Sequence, residues 1–454
     1  MQLGANVRAA LGNMLAKAVS VPLEKVCRLL LFAVAARTLK EVAFGRFQFA
    51  DTVAALLVLA TDLGIGMWTT RALARRRHTP QEIVGTGMWV RSLAAAPYLA
   101  LVGATALLGT QRQPDTRRAL LCLGIAALAG VFIEYCGAIF RGHERLRDEA
   151  RLNAVRALLV TLAGLGALAL QPSVGALAAG VMLGSVGAAA YGLWIVRHRY
   201  RLPTLFAHRP FDPSLRRSLA RTAIRQAFPL WLATLMSLVY FKGDAVLLRL
   251  WAGDAAVGSY SVAFKLFEGT MILPSIVLAA SFPSLVRAHD QVEARLHEEA
   301  AAHRRRAELG LGLGLLGLGG LVGAVLWATS ATVIRLAFGP TFANAVPALR
   351  VLSLAIPLLF ANYGLTHFLI ARHLERYNLA FTIGLVILNL GSNWVLIPRW
   401  GALGAAWATL GTELALSVCC LVMLAERSPA SSSPEPPRTP PPEPSATNKV
   451  RRSE

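Results

Sequence analysis

The stretch 152–196, LNAVRALLVTLAGLGALALQPSVGALAAGVMLGSVGAAAYGLWIV, decides the fold. It holds two apolar runs, 152–170 and 173–196, divided only by Gln171, Pro172 and Ser173. A helix of about 20 apolar residues crosses a hydrocarbon core of about 30 Å, so each run has the length of a membrane span. A membrane barrel would need polar and apolar residues to alternate over about 10 positions. These runs are apolar all round, so they read as helices. The three-residue break makes the pair a tight helical hairpin.

Runs of the same kind recur outward in both directions. Twelve candidate spans cover approximately 13–36, 43–70, 83–109, 117–140, 152–170, 173–196, 226–250, 256–285, 307–330, 343–370, 377–397 and 401–425. They predict an all-α integral membrane protein. The composition agrees: of 454 residues, 55% are hydrophobic and only 16% are charged, against about 25% charged in soluble domains. A soluble enzyme is excluded, and no stretch between runs is long enough for a separate soluble domain.

Twelve spans put both termini on one side. The loops after even-numbered spans carry most of the loop arginines, among them Arg75-Arg76-Arg77, Arg141, Arg145 and Arg147, and Arg304-Arg305-Arg306. The positive-inside rule places those loops, and both termini, in the cytoplasm. The excess of 46 basic over 25 acidic residues, net +21, is therefore loop charge. No basic stripe alternates with aromatics, so nucleic acid is not an expected partner. Asn6, Arg8 and Asn13 interrupt the stretch before Ala16-Lys17-Ala18. That start reads as a short amphipathic helix entering an uncleaved first span, and not as a signal peptide. Cys27, Cys122, Cys136, Cys419 and Cys420 all fall in apolar runs without metal-ligand spacing; they are packing residues, and no metal is expected.

An internal repeat organises the spans. Gly45, with an aromatic two residues on and Ala50, matches Gly258, Tyr260 and Ala263 at an offset of 213. Arg141, Glu144 and Arg145 match Arg372, Glu375 and Arg376, and Gly175-Ala176 matches Gly404-Ala405. Two pseudo-symmetric six-helix halves around a central cavity follow, which is a transporter architecture. The expected divisions are an N-terminal lobe (1–200), a basic cytoplasmic linker (201–225), a C-terminal lobe (226–425) and a disordered Pro/Ser-rich cytoplasmic tail (426–454).

No catalytic constellation appears: there is no G-x-S-x-G, H-E-x-x-H or P-loop, and the chain does not read as an enzyme. The glycine run from Gly310 to Gly323 lies inside an apolar span. Gly310/Gly314 and Gly319/Gly323 have the spacing of close helix packing.

Charges inside spans carry the functional signal. Span one holds Glu24, Lys25 and Arg28; later spans hold Arg91, Glu134, Arg156, Lys242, Asp244, Lys265, Glu268, Arg350 and Glu413. Each charge at the bilayer centre costs about 2.5–3.5 kcal/mol. Several facing lipid would exceed a stability of about 5–15 kcal/mol. Most must face a wet cavity or a partner. Lys25 and Arg28, three apart, lie on one side of span one, as Lys265 and Glu268 do on span eight. Lys242 and Asp244 point to nearly opposite sides, so Asp244 is expected to hold a neighbouring helix. Glu24–Arg28 and Lys265–Glu268 are alternatives as internal salt bridges. Pairing leaves cations in excess. Lys25, Arg28, Arg91, Lys242 and Lys265 thus form a candidate substrate-binding set, suited to an anionic headgroup and above all a diphosphate.

Arg37-Thr38-Leu39, Phe44-Gly45-Arg46-Phe47 and Asp62-Leu63-Gly64 open the chain in a way that resembles the polysaccharide-biosynthesis flippases (Wzx-like). Gly243-Asp244, Val257-Gly258-Ser259-Tyr260, Leu273-Pro274, Phe282-Pro283, Asn389, Asn393, Ile397-Pro398 and 401–406 continue the resemblance over about residues 10–425. That family belongs to the multidrug/oligosaccharidyl-lipid/polysaccharide exporter superfamily. The resemblance implies two lobes, alternating access and a cationic cavity. It also implies flipping of undecaprenyl-diphosphate-linked oligosaccharide from the cytoplasmic to the periplasmic leaflet of a bacterial inner membrane, for O-antigen, capsule or exopolysaccharide. Glu24 and Glu268 are then candidates for coupling to a proton or sodium gradient; no other cofactor is expected. Lipid-linked glycan and membrane lipids are the implied partners, with a polysaccharide polymerase and chain-length machinery as further candidates. A drug/cation antiporter of the same superfamily is the alternative, and a cation-lined cavity argues against it.

Overall fold

The structure, a computed structural model, describes residues 2–75, 78–109, 113–202, 212–279, 281, 298–371 and 375–426. The helices are α1 (Gln2–Asp62), α2 (Ile65–Arg75), α3 (Pro80–Gly109), α4 (Pro114–Gly142), α5 (Leu146–Leu170) and α6 (Val174–His198). They are followed by α7 (Pro213–Thr270), α8 (Glu298–Phe338), α9 (Ala345–Ala371), α10 (Glu375–Trp400) and α11 (Ala402–Glu426). A short 3-10 turn, Pro340–Phe342, joins α8 to α9. The expected tail from 427 onward lies outside the described residues, as do Arg76, Arg77, Pro283 and Arg372.

Among the described residues, nine helices are long and apolar enough to cross a membrane. Trp231–Ala279 is one of the nine although Gly253 (φ 81) breaks it into two spans. Helix α1 is not among them: Glu24, Lys25 and Arg28 crowd its first half, and Glu41, Arg46, Asp51 and Asp62 its second; Lys40 (φ 61) divides it in the same way. With both long helices read as span pairs, the described residues form twelve spans in two six-helix lobes. The predicted hairpin is present: Ser173 caps α6 by accepting from the Ala176 N–H at 3.2 Å. Gly180 and Gly184 then let α6 lie against the α5 backbone at Ala163 and Val160.

Some boundaries differ from expectation. Span two does not run unbroken to 70. Leu63 (φ 44) and Gly64 (φ 69) stop it, and α2 starts afresh. Gly64 sits so close to Ala227 of α7 that a side chain would not fit. The second half of the expected linker is helix already, since α7 starts at Pro213. Asp212 caps it through the backbone N–H and hydroxyl of Ser214, and these bonds hold its carboxyl below the usual carboxylate range. Gly319 and Gly323 pack on Pro357 and Ser353 of α9, as their spacing predicts, whereas Gly310 and Gly314 meet nothing.

The offset of 213 relates Lys40 to Gly253, the two bends. It also relates Glu41 to Asp254 and Gly45 to Gly258. A Cβ on Gly45 would collide with the Asp254 carbonyl oxygen, and one on Gly258 with that of Glu41. The two contacts are reciprocal, as across a two-fold axis. Around them the lobes are latched. Arg46 Nε and Arg249 Nε bind Asp254 at 3.0 and 3.1 Å. Ser259, the repeat mate of Arg46, hydrogen-bonds Glu41. Gln113 donates to Asp254 at 3.3 Å, and Asn344, 231 residues on, donates to Glu41 at 3.4 Å. Phe32 and Phe44 of the N-lobe meet Phe338 and Phe342 of the C-lobe, with ring centroids 5.8–5.9 Å apart. The lobes are therefore closed on the face that carries the loops after odd-numbered spans.

Candidate functional site

Beneath that closure lies a cavity of about 390 Å³ between the lobes, lined by Glu24, Arg28, Asp51, Arg156, Lys242, Lys265 and Glu268 among apolar residues. It shares Arg28, Asp51, Arg156 and Lys242 with a second cavity of about 710 Å³, which adds Asp62, Arg71, Arg91, Glu134 and Arg141. The second cavity extends toward the opposite face of the molecule. Together they expose seven cations and five carboxylates, a net positive lining.

The bends set the depth. Asp51 stands eleven residues after Lys40, and Lys242 eleven before Gly253. At 1.5 Å per residue, both lie about 16 Å from that face, near the middle of a 30 Å core. Arg28 and Lys265 stand one residue further from the same bends. The four helix halves nearest the axis thus each place one charge at mid-depth: three cations and one carboxylate.

Most of these charges are paired. Lys242 Nζ is 3.1 Å from Asp51 across the lobe interface. Lys265 is 2.7 Å from Glu268, the internal bridge anticipated as an alternative. Arg156 is 3.2 Å from Glu134. Arg28 makes no salt bridge among the described residues. Arg91 is 1% exposed, lies 4.7 Å over the Tyr135 ring and reaches Asp62 at 2.6 Å. Its Nε and Nη1 are buried without a hydrogen-bond partner. Buried donors without partners are rare, and here they belong to a cavity wall.

Of the predicted set, Arg28, Lys242 and Lys265 are brought together at mid-depth, and Arg91 lies further along the second cavity. Glu24 and Glu268 line the first. Lys25 requires a correction: it is exposed and lines neither cavity. The cavity stripe of α1 is Glu24, Arg28, Leu31, Phe32 and Ala35, a helical progression. Lys25 is turned about 100° from Glu24 and falls off it. Asp244 behaves as expected, buried in the C-lobe and receiving hydrogen bonds from Tyr260 (2.6 Å) and from Asn393 of α10 (2.6 Å). Glu413 is buried likewise, bound by Tyr240 and Asn362, both at 2.8 Å. Arg350 stacks on Trp327, away from both cavities. Sequence reasoning missed Asp51 and Asp62, two of the carboxylates that hold cavity cations. The signal for Asp51 was its distance from the span break at Lys40, which equals that of Lys242 from Gly253.

A profile described as "Polysaccharide biosynthesis protein" matches residues 10–289, more than half of the chain. The chain belongs to the polysaccharide biosynthesis protein family. "Probable flippase AglR" of Haloferax volcanii is 26% identical over 382 residues, covering 82% of this chain and 75% of that protein. Among solved structures, an inward-facing multidrug resistance MATE transporter of the MOP superfamily superposes with a TM-score of 0.67 at 14% identity, over 88% of this chain and 96% of its own. The lipid II flippase MurJ in an inward closed conformation gives 0.66 at 11%, over 91% and 87%. An outward-facing MATE transporter gives 0.60 at 13%, over 91% and 95%. At such identities these structures share the fold. Family, fold and the apolar helices together make the chain a multi-pass membrane protein of that family.

Proposed function

We propose that this chain flips lipid-linked oligosaccharide, moving undecaprenyl-diphosphate-linked glycan units from the cytoplasmic to the periplasmic leaflet of a bacterial inner membrane for surface polysaccharide assembly. The mid-depth cluster of Arg28, Lys242 and Lys265 is the observation that carries this reading. A diphosphate is a compact anion with several acceptor oxygens, and guanidinium and ammonium groups satisfy it from several sides. Arg91, Arg156 and Arg71, all on the wall of the second cavity, make an entry path of the same sign. An organic cation would meet repulsion there, and the two buried C-lobe carboxylates, Asp244 and Glu413, lie outside both cavities.

In this proposal both termini and the even-numbered loops are cytoplasmic, as loop charge argues. The headgroup enters from that face and stops at the mid-depth cations, while the polyprenyl chain stays in lipid. Opening the latch at Glu41 and Asp254 then exposes the headgroup to the other side. Glu24 and Glu268, on the wall of the first cavity, are the groups we assign to coupling with a proton or sodium gradient.

The test is the leaflet distribution of polyprenyl-diphosphate glycans in a strain lacking the protein. Accumulation in the cytoplasmic leaflet is expected. Wild type relieves it, and the Arg28→Ala/Lys242→Ala variant at equal expression does not. An unchanged distribution on deletion, with no substitute flippase present, overturns the reading.

A further inference from the structure

Resting on that reading, we propose that Asp51 is a built-in competitor for the substrate's phosphate: it occupies Lys242 in the empty cavity and must be displaced when the headgroup binds. Three observations support this. First, the bridge stands inside the cavity wall, because both partners line both cavities. Second, neither partner is sealed: the Lys242 side chain is 28% exposed and that of Asp51 44%. A wet, partly exposed pair is weak enough to exchange, unlike the Asp254 latch, whose carboxylate is 10% exposed. Third, Asp51 belongs to α1 of the N-lobe and Lys242 to α7 of the C-lobe, so the pair ties the lobes at mid-depth. A phosphate on Lys242 takes the place of Asp51 and unties them, which makes loading of the cavity a condition for the lobes to part there.

The experiment measures equilibrium binding of farnesyl diphosphate to the full chain in lipid nanodiscs, with protein-free discs as the blank. Asp51→Asn keeps the shape and removes the competing charge, and is expected to tighten binding about two- to fivefold, the range of a partly exposed ion pair. Lys242→Gln weakens binding, and Asp51→Asn adds little on top of Lys242→Gln, because the lysine that Asp51 pairs with is gone. Glu24→Gln removes the same charge from the same cavity and frees no lysine, so it has the smaller effect. Asp51→Glu restores the wild-type affinity. Asp51→Ser serves if the Asn variant is not monodisperse. Weaker or unchanged binding in Asp51→Asn assigns Asp51 to structure alone and overturns the proposal. Equal tightening in Glu24→Gln makes the effect one of net charge and overturns it too. Absence of binding to wild type removes the diphosphate reading itself, and this inference with it.

Discussion

Gly45 and Gly258 face each other at the axis between the lobes, each pressed on the carbonyl four residues before its mate, that of Asp254 for Gly45 and of Glu41 for Gly258. No side chain separates the two helices there. The contact is backbone on backbone, and it fixes how closely the lobes approach on the closed face.

Adding a methyl to either glycine should therefore push the lobes apart. Gly45→Ala and Gly258→Ala are each expected to destabilise the closed state by about 1–3 kcal/mol, the usual cost of overpacking. Because the contacts are reciprocal, the two variants should match within error. Thiol labelling of Ala35→Cys, a buried position on the cavity wall beneath the closure, in an otherwise cysteine-free background, reads this opening. Unchanged labelling in both would refute the packing role.

The two carboxylates of the latch should differ in weight. Asp254 binds two arginines, one of them, Arg249, only 14% exposed, whereas Glu41 binds the uncharged Ser259 and Asn344. Removing the charge from Asp254 leaves a nearly buried guanidinium without its counter-ion, so Asp254→Asn should cost about 1–3 kcal/mol. Glu41→Gln should cost about 0.5–1.5 kcal/mol, because the amide oxygen still accepts from Ser259 and Asn344. Thermal unfolding in one detergent compares them, and a larger loss in Glu41→Gln contradicts the assignment.

Arg91 should not tolerate lysine. Its guanidinium spans the Tyr135 ring and Asp62 while two further nitrogens stay open. An ammonium supplies one point of charge and no planar fork. Arg91→Lys is expected to lower glycan export at least tenfold at wild-type expression, close to Arg91→Ala. Full activity in Arg91→Lys would reduce the site to bare charge.

The helices were legible because apolar length alone forces them, and the hairpin around Pro172 appears where the sequence puts it. The repeat was legible at Gly45 and Gly258 because the axis admits only glycine there. Individual side-chain roles were less so. Lys25 carries the same charge as Arg28 and sits in the same turn, and only the rotation of α1 decides which of them meets the cavity. Asp51 and Asp62 had no partner in sequence: Lys242 lies 191 residues away, and Arg91 on another helix. Long-range pairs of this kind leave no periodicity to read. The Asp244–Asn393 bond does so only through the opposed directions of Lys242 and Asp244 along α7.

The aromatic cluster of Phe32, Phe44, Phe338 and Phe342 has an electrical consequence. Phe44 and Phe342 are fully buried and Phe338 is 1% exposed, so the rings themselves offer water no polar group. An apolar constriction excludes ions by staying dry. While these rings remain together, a cavity crowded with charge can stand halfway across the membrane without becoming a leak.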